Sequence, residues 1–285
     1  MNRYLILSIA LINIILLSSC NDKSIVLTKL WDTDSIMLSP ESIVYDNVGN
    51  VLYVSNVNIT PGANSNDTIF AEYITKLDLD GNIINLKWIE NINRPAGIII
   101  NNGKLIVTER NALAIINIEQ GIIERRIPII DAGFPNDVTA DENGVFYVTD
   151  SNKKCVYKIE NDSVNIFVEG EEVASPNGIL YDNGKLIIGI NSDNYLKSID
   201  IATKEIKNIA FLGKGTIDGI RKFGDNYLVS HVEGNIYMVS KEGVVKELLN
   251  TRKEKFSCAD FEFIESKHMI FSPVLNRNMV TAYRF

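Results

Sequence analysis

Pro135-Asn136-Asp137-Val138, followed by Thr139-Ala140-Asp141-Glu142-Asn143-Gly144, is the stretch of this 285-residue chain that decides its fold. Its first four residues recur in altered form as Pro40-Glu41-Ser42-Ile43, Pro95-Ala96-Gly97-Ile98, Pro176-Asn177-Gly178-Ile179, Ile217-Asp218-Gly219-Ile220 and Ala259-Asp260-Phe261-Glu262. The second residues of the six segments follow one another at intervals of 55, 40, 41, 41 and 42 positions. A period of roughly 40–45 residues built from short strands is typical of a β-propeller blade. Six starts therefore predict an all-β, six-bladed β-propeller.

The third repeat shows how one blade is built. Asp137 to Ala140 is predicted as its first strand, and the Asn143-Gly144 pair supplies the positive φ angles that a tight hairpin turn requires. Further strands are predicted over Val145 to Val148, Val156 to Ile159 and Val164 to Val168, where apolar residues alternate with polar ones between turn residues. The repeat therefore contains four antiparallel strands.

The two ends of the chain are predicted to close the ring. Only three strands follow Asp260, and the segment from Ile25 to Thr28 is suited to supply the fourth strand of the last blade. Pairing of N- and C-terminal strands would leave no wide-open sheet edge. We therefore assign residues 25–285 to a single propeller domain.

The first twenty residues have the pattern of an export signal. Arg3 is followed by an almost wholly apolar run from Tyr4 to Leu17, and then by Ser18-Ser19-Cys20. This segment resembles a bacterial lipoprotein signal, in which Cys20 becomes the acylated N-terminus. Residues 21–24 would then be a short tether, and the protein would be exported and anchored by lipid to the inner or outer bacterial cell membrane. The alternatives are an ordinary secretory signal or a short transmembrane anchor.

Composition restricts the partners of the chain. A formal net charge of −8 and a pI near 5.0 disfavour binding to nucleic acid or to anionic lipid, so we expect membrane contact through the lipid anchor only. Cys155 and Cys258 fall in blades on opposite sides of the ring and are predicted to be unpaired thiols. The expected state is a monomer that binds a small molecule at the channel mouth.

Equivalent positions in successive blades form a ring around the central channel. The repeat places Glu41, Ala96, Asn136, Asn177, Asp218 and Asp260 at such positions. An alternative is that these segments are only turn sequences between blades. That alternative does not explain why the ring position is polar or acidic in five of six blades.

Six blades with Pro-Glu-Ser, Asn-Asp-Val, Pro-Asn-Gly and Asp-Gly-Ile in this order resemble the senescence-marker-protein/gluconolactonase (regucalcin-like) family. The resemblance implies one divalent cation held by Glu41, Asn177 and Asp218, with Asn136 in contact with the substrate and Asp218 as the catalytic base. Carboxylate and amide oxygens suit Ca²⁺, the cation we expect, with Mg²⁺, Mn²⁺ or Zn²⁺ as alternatives.

Two departures from the family pattern bear on the substrate. Phe134 stands where the sugar lactonases have an arginine, and Thr149-Asp150 stands where they have a glutamate. Arg110 and His231, both at strand ends, are predicted to face the same mouth and to contact a different substrate. The predicted function is metal-dependent hydrolysis of small lactones or other cyclic esters. The alternative is a non-enzymatic lipoprotein that binds a peptide, glycan or protein partner at the mouth.

One long insertion, from Val57 to Phe70, separates the second and third strands of the first blade. Its polar composition predicts a loop, and its position predicts that it overhangs the channel as a lid. A passive insertion is the alternative.

Overall fold

The computed structural model describes residues 26–58 and 72–285. Cys20 and most of the predicted lid lie outside the described residues. Helical structure in the described residues is confined to three 3₁₀ turns, at Glu171–Val173, Glu265–Lys267 and Leu275–Arg277. None of these is long enough to cross a membrane.

Six four-stranded antiparallel sheets form the blades of a six-bladed propeller, as predicted. The strand before the first blade is β1 (Thr28–Asp32), and the first blade consists of β2 (Pro40–Asp46), β3 (Val51–Asn56), β4 (Tyr73–Leu77) and β5 (Ile83–Ile89). The second blade consists of β6 (Ile98–Asn101), β7 (Lys104–Glu109), β8 (Ala112–Asn117) and β9 (Ile122–Pro128). The third consists of β10 (Pro135–Ala140), β11 (Phe146–Asp150), β12 (Cys155–Glu160) and β13 (Ser163–Glu169). The fourth consists of β14 (Pro176–Asp182), β15 (Lys185–Ile190), β16 (Tyr195–Asp200) and β17 (Ile206–Phe211). The fifth consists of β18 (Ile217–Phe223), β19 (Asn226–His231), β20 (Asn235–Val239) and β21 (Val245–Asn250), and the sixth adds β22 (Glu262–Ile264), β23 (Met269–Val274) and β24 (Met279–Arg284) to β1.

The two ends of the chain close the ring, but not with the predicted segment. β1 pairs with β24, so that Thr28 lies opposite Arg284 and Asp32 lies opposite Thr281. The prediction that Ile25 to Thr28 forms this strand is wrong, because the strand begins where that segment ends. The reason is visible in the core, where Trp31 packs against Phe271 with ring centroids 5.7 Å apart. The bulky apolar residue that the sixth blade needs lies in the later segment.

The hydrophobic core consists of six layers, each between two neighbouring blades. Between the first and second blades, for example, Val44 and Tyr53 pack against Ile98 and Val107. Comparable layers lie at the other five junctions. Because each blade is held on both faces, the inner strands form a rigid frame around the channel.

Hydroxyl groups near the end of the second strand tie neighbouring blades together beside the channel. Ser55 donates a hydrogen bond to the carbonyl of Ala96 in the next blade at 2.7 Å, and Ser230 donates to the carbonyl of Ala259 at 2.9 Å. Both serines are fully buried. These bonds fix the distance between adjacent inner strands.

The two cysteines of the described residues are buried and unpaired, as predicted. Cys155 belongs to the layer between the second and third blades, and Cys258 to the layer between the fifth and sixth. Burial raises the pKa of each thiol to about 11, so that neither is a reactive thiolate near neutral pH.

Candidate metal and ligand site in the central channel

The repeated segments reach the channel through bulges in the innermost strands. In the fourth blade Pro176 pairs with Ile190 and Ile179 pairs with Ile188, so that Asn177 and Gly178 together face a single residue of β15. The same shift follows the first residue of β2, β10 and β18. A bulge of this kind re-aims the side chains of the two extra residues. This geometry turns the second residue of each motif toward the axis.

The third residue of the motif is where neighbouring blades come closest. A Cβ atom on Gly178 would lie 1.7 Å from the carbonyl oxygen of Asp218, and one on Gly219 would lie 2.7 Å from Oδ1 of Asp260. Glycine at this position therefore lets the next ring residue approach. The Pro-Asn-Gly and Asp-Gly sequences therefore lie at bulges of the innermost strands, where neighbouring blades meet.

The predicted ring exists, and its polar members are buried. Glu41, Asn136, Asn177, Asp218 and Asp260 are each less than a tenth exposed. Within the described residues, Oε2 of Glu41, Oδ1 of Asn177 and Oδ1 of Asp218 are buried and have no hydrogen-bond partner. An unpaired buried polar atom costs roughly 1–3 kcal/mol. All three predicted cation ligands thus have an oxygen atom available to coordinate a ligand.

The carboxylates of the ring repel one another. Burial raises the pKa of Glu41 well above its usual range, and Asp218, Asp137 and Asp260 raise it further, while Arg94 opposes them. Burial and then Asp260 likewise raise the pKa of Asp218. These carboxyl groups are electrostatically unfavourable as anions, and a bound cation would relieve that cost.

Two ring residues were missed by sequence reasoning. Asp137 is buried with Oδ1 unpartnered, and burial followed by the charges of Asp260 and Asp218 raises its pKa. Strand alternation places Asp137 on the face opposite Asn136, whereas the bulge brings both toward the channel. The only sequence signal was the acidic character of the residue next to the ring position.

Arg221 is the second missed residue, and it is the internal counter-charge of the channel. Its Nη1 lies 3.0 Å from Oδ1 of Asp260, and its Nε lies 3.6 Å from Oε1 of Glu262. Burial alone would lower the pKa of Arg221, but Asp260 and Glu262 outweigh burial and raise it. Ser42 also donates to Asp260 at 2.5 Å. Asp260 is therefore neutralised by an ion pair with a protein group, whereas no ion pair is formed by Glu41 or Asp218 among the described residues.

His231 lies beside the ring, at the end of β19, where it pairs with Ile217. Its side chain is fully buried, and its Nδ1 is 3.3 Å from Nη2 of Arg252. An arginine can only donate, so Nδ1 is the acceptor and Nε2 carries the proton. Nε2 is buried without a partner in the described residues. The imidazole can therefore donate one hydrogen bond to a ligand.

Asn136 and Asp150 differ in how fully their side chains are engaged by hydrogen bonds within the protein. Nδ2 of Asn136 lies 3.5 Å from Oγ of Ser151, a long contact that leaves the amide free to bind a ligand. Asp150 accepts hydrogen bonds from the backbone N–H groups of Gly133 at 2.7 Å and Phe134 at 2.8 Å. Its carboxylate is used to shape the loop that precedes β10.

Arg110 lies directly after β7, where its N–H donates to the carbonyl of Asn93 at 3.0 Å. The neighbouring Arg94 stacks on Phe134, with Cζ 3.9 Å from the ring centroid. Arg94 was not among the predicted site residues, since nothing in its sequence context marks it as a functional residue.

Among the described residues, no three His, Cys, Asp or Glu side chains come close enough together to hold an ion by themselves. The predicted ligand set has only two carboxylates, and its third oxygen belongs to the amide of Asn177. A cation site made of Glu41, Asn177 and Asp218 therefore does not require a cluster of three acidic, thiol or imidazole side chains.

Comparisons with solved structures agree with the architecture. A gluconolactonase from Xanthomonas campestris is 13% identical with a TM-score of 0.69, over 90% of this chain and 89% of that chain. A catalytically inactive virginiamycin B lyase from Staphylococcus aureus, with quinupristin, is 15% identical with a TM-score of 0.63, over 91% and 99%. A streptogramin B lyase is 12% identical with a TM-score of 0.63, over 90% and 97%.

No protein-family model and no curated protein sequence matches the chain. At these low identities the structural comparisons show the fold, which is that of gluconolactonase-like propellers. The matched structures are named as gluconolactonases and as lyases, so the fold is compatible with more than one reaction.

Proposed function

We propose that this chain is an exported, lipid-anchored enzyme that hydrolyses small lactones or other cyclic esters with one divalent cation bound at Glu41, Asn177 and Asp218. One observation supports the cation above all others. Each of these three residues, which come from three different blades, has a buried oxygen with no hydrogen-bond partner in the described part of the chain. Native proteins rarely leave such atoms unpaired.

The donor set fits a hard cation. Two carboxylates and an amide carbonyl are the oxygen ligands that Ca²⁺ accepts, and three protein ligands leave coordination positions for water and substrate. A cation held there would act as a Lewis acid toward a carbonyl oxygen. The neighbouring side chains would place the substrate, since Nδ2 of Asn136 and Nε2 of His231 are donors with no short hydrogen bond among the described residues.

Asp218 would serve as the base. As a ligand of the cation, its carboxylate would lie beside the water that the cation holds and could accept a proton from it. The water oxygen would bond to the ester carbonyl carbon as Asp218 takes the water proton. The ring C–O bond would then break, and Asp218 would return the proton to the departing oxygen, so that lactone and water give a hydroxy acid.

The test is a comparison of Asp218→Asn with Asp225→Asn, since Asp225 is almost fully exposed and lies in the turn after β18, at the opposite end of that strand from Asp218. At a Ca²⁺ concentration a hundred times Kd, binding should stabilise the wild type by about 2.7 kcal/mol and raise its Tm by several degrees. Asp225→Asn should behave as wild type, and Asp218→Asn should lose both the shift and the hydrolysis of a lactone panel.

The outcomes separate the two parts of the proposal. An equal Ca²⁺-induced rise in Tm in all three proteins would remove the cation from this ring. Calcium binding that depends on Asp218, with no turnover of any cyclic ester, would overturn the hydrolase and favour a binding lipoprotein.

A further inference from the structure

An open groove of about 710 Å³ lies between the sixth and first blades. Its lining residues come from both blades: Leu30, Trp31, Lys267, Met269 and Arg284 from the sixth, and Asn50, Leu79 and Asp80 from the first. None of the ring residues of the channel lines it. The groove is therefore separate from the candidate cation site.

The strand register places the groove and the ring at opposite ends of the blades. Ile264, Met269, Arg284 and Thr28 are partners in one row across the four strands of the sixth blade. Asp260 precedes β22, so the ring lies at the other end of the same strand. The first and sixth blades run in the same direction, since their innermost strands meet at a parallel bridge beside the ring. The groove is therefore on the face of the propeller opposite the channel mouth.

The chain enters the propeller beside this groove. Leu27, directly before β1, is buried between the fifth and sixth blades, whereas Leu30 and Trp31 line the groove on the side of the first blade. Leu27 lies only seven positions after Cys20. A lipid attached to Cys20 would therefore bring the bilayer close to the face that contains the groove.

The groove has a rigid apolar floor. Met269 is buried, and Trp31 and Leu79 are half-buried. Trp31 is held from two sides, because its ring centroid lies 5.7 Å from that of Phe271 and a Cβ atom on Gly81 would lie 2.8 Å from its Cε3. Tryptophan is enriched where the apolar part of a membrane meets water. The floor is therefore suited to the apolar part of a lipid just below its head group.

Three exposed charged side chains surround this floor. Lys267, Arg284 and Asp80 form no ion pair among residues 26–58 and 72–285. A zwitterionic phospholipid has one phosphate and one ammonium group, which match two cations and one carboxylate. The net charge of −8 disfavours anionic lipid, but a zwitterionic head group has no net charge to be repelled. The charges of the groove therefore favour a zwitterionic lipid.

We propose that this groove binds the head group of a zwitterionic phospholipid and docks the propeller on the membrane by the face opposite the channel mouth. The phosphate would lie between Lys267 and Arg284, and the ammonium beside Asp80. The location of the bilayer rests on the lipid anchor proposed above, whereas hydrolysis plays no part in it. The groove would add a second membrane contact to the anchor, and the channel mouth would open toward the aqueous phase.

Fluorescence quenching at two single-cysteine positions tests the docking. Val48, in the turn between β2 and β3, is 93% exposed beside the groove, and Ile130, after β9 at the ring end, is 75% exposed. The two native cysteines of the propeller are buried, and Cys20 would be acylated. Acylated Val48→Cys and Ile130→Cys are labelled and placed in vesicles of phosphatidylethanolamine and phosphatidylcholine in equal parts, with a nitroxide on the head group. Quenching should be several-fold stronger at position 48 than at position 130.

A pair of charge variants separates the groove from general electrostatics. In Lys267→Gln/Arg284→Gln, quenching at position 48 should fall to the level at position 130, while the acyl chain keeps the protein in the membrane fraction. Lys214→Gln/Lys253→Gln is the matched control, because both lysines are exposed and lie at the ring end, after β17 and β21. It should keep the wild-type quenching. Full quenching at position 48 in the groove variant would overturn the docking site, and so would equal quenching at both positions in the wild type.

Loss of the anchor has a different result from loss of the groove. If intact-mass measurement shows no lipid on the mature protein, the same labelled proteins are mixed with the same vesicles. Quenching at position 48 that disappears in Lys267→Gln/Arg284→Gln would support the groove without the anchor. No quenching at position 48 would overturn the groove as well. Neither measurement depends on turnover, so an absence of lactone hydrolysis changes neither result.

Discussion

His231 lies at the end of β19 with its imidazole buried beside Arg252, and these surroundings determine its charge. Burial lowers its pKa to about 4, and although Glu233 opposes that effect, Arg252 adds to it. The side chain is therefore neutral near pH 7 and acts as a hydrogen-bond donor through Nε2. A histidine in this position can orient a ligand, but it cannot provide a positive charge.

The low pKa of His231 predicts how stability depends on pH. Between about pH 6.5 and pH 4 the unfolded chain binds a proton at this residue and the native protein does not, so stability should fall as the pH falls through that range. The total contribution is on the order of 3 kcal/mol. Urea unfolding from pH 7 to pH 4 should show a smaller loss of stability in His231→Gln than in the wild type.

The other histidine of the sequence provides the control for this measurement. His268 is exposed and has a φ angle of +53°, which asparagine tolerates well. His268→Asn should therefore keep the wild-type pH dependence. A loss of stability in His231→Gln as steep as that of the wild type would show that other groups, and not this imidazole, set the acid limit.

At the level of strands, the same hydroxyl position has different partners in different blades. Ser230 accepts the N–H of Gly219 at 2.8 Å and donates to the carbonyl of Ala259, so that it fills the bulge of β18 and connects two blades. Ser272 has the equivalent place on β23, but within the described residues its hydroxyl has no oxygen or nitrogen partner and meets only the thiol of Cys258, a weak hydrogen-bonding group. The two serines therefore form a matched pair.

Replacing each serine by alanine should separate a structural hydrogen bond from simple burial. Ser230→Ala leaves the buried N–H of Gly219 unpaired and should lower the free energy of unfolding by about 1–3 kcal/mol. Ser272→Ala removes a group that has no strong partner and should change stability little. Equilibrium unfolding of both variants in denaturant measures the difference. Equal effects would mean that the bulge is held by packing alone.

These hydroxyl contacts also show where sequence reasoning ends. The blades and the ring position follow from local signals, such as the Asn143-Gly144 turn and the period of the motifs. Asp137 and Arg221 could not be placed in that way. Side chains normally alternate between the two faces of a strand, and a bulge breaks the alternation from which channel-facing residues are predicted. Arg94 was missed because its stacking partner, Phe134, belongs to the next blade. Contacts between blades depend on how the sheets pack, and the sequence pattern of one blade does not show this.

For the whole molecule, ring closure determines how far the propeller can lie from an anchor. The predicted closing segment ended at Thr28, whereas β1 begins there, because Trp31 is the residue that packs against Phe271. Pairing of β1 with β24 makes the N-terminal segment an integral part of the sixth blade. Leu27, directly before β1, is also buried between the fifth and sixth blades, so the connection to Cys20 is bounded by Leu27.

The lipid anchor remains a prediction from the sequence, and its consequence for the molecule is geometric. Leu27 lies seven positions after Cys20, and seven residues of fully extended chain span at most about 25 Å. Acylation at Cys20 would thus hold the propeller within roughly that distance of the bilayer.

Cys20→Ala should release the protein from membranes or leave the signal uncleaved, and intact-mass measurement of the wild type should show a lipidated N-terminus at Cys20. Cys155→Ala, at a buried thiol of the blade core, should remain in the membrane fraction. A mature wild-type protein that begins elsewhere and lacks lipid would exclude the anchor, while leaving the channel site and its tests unaffected.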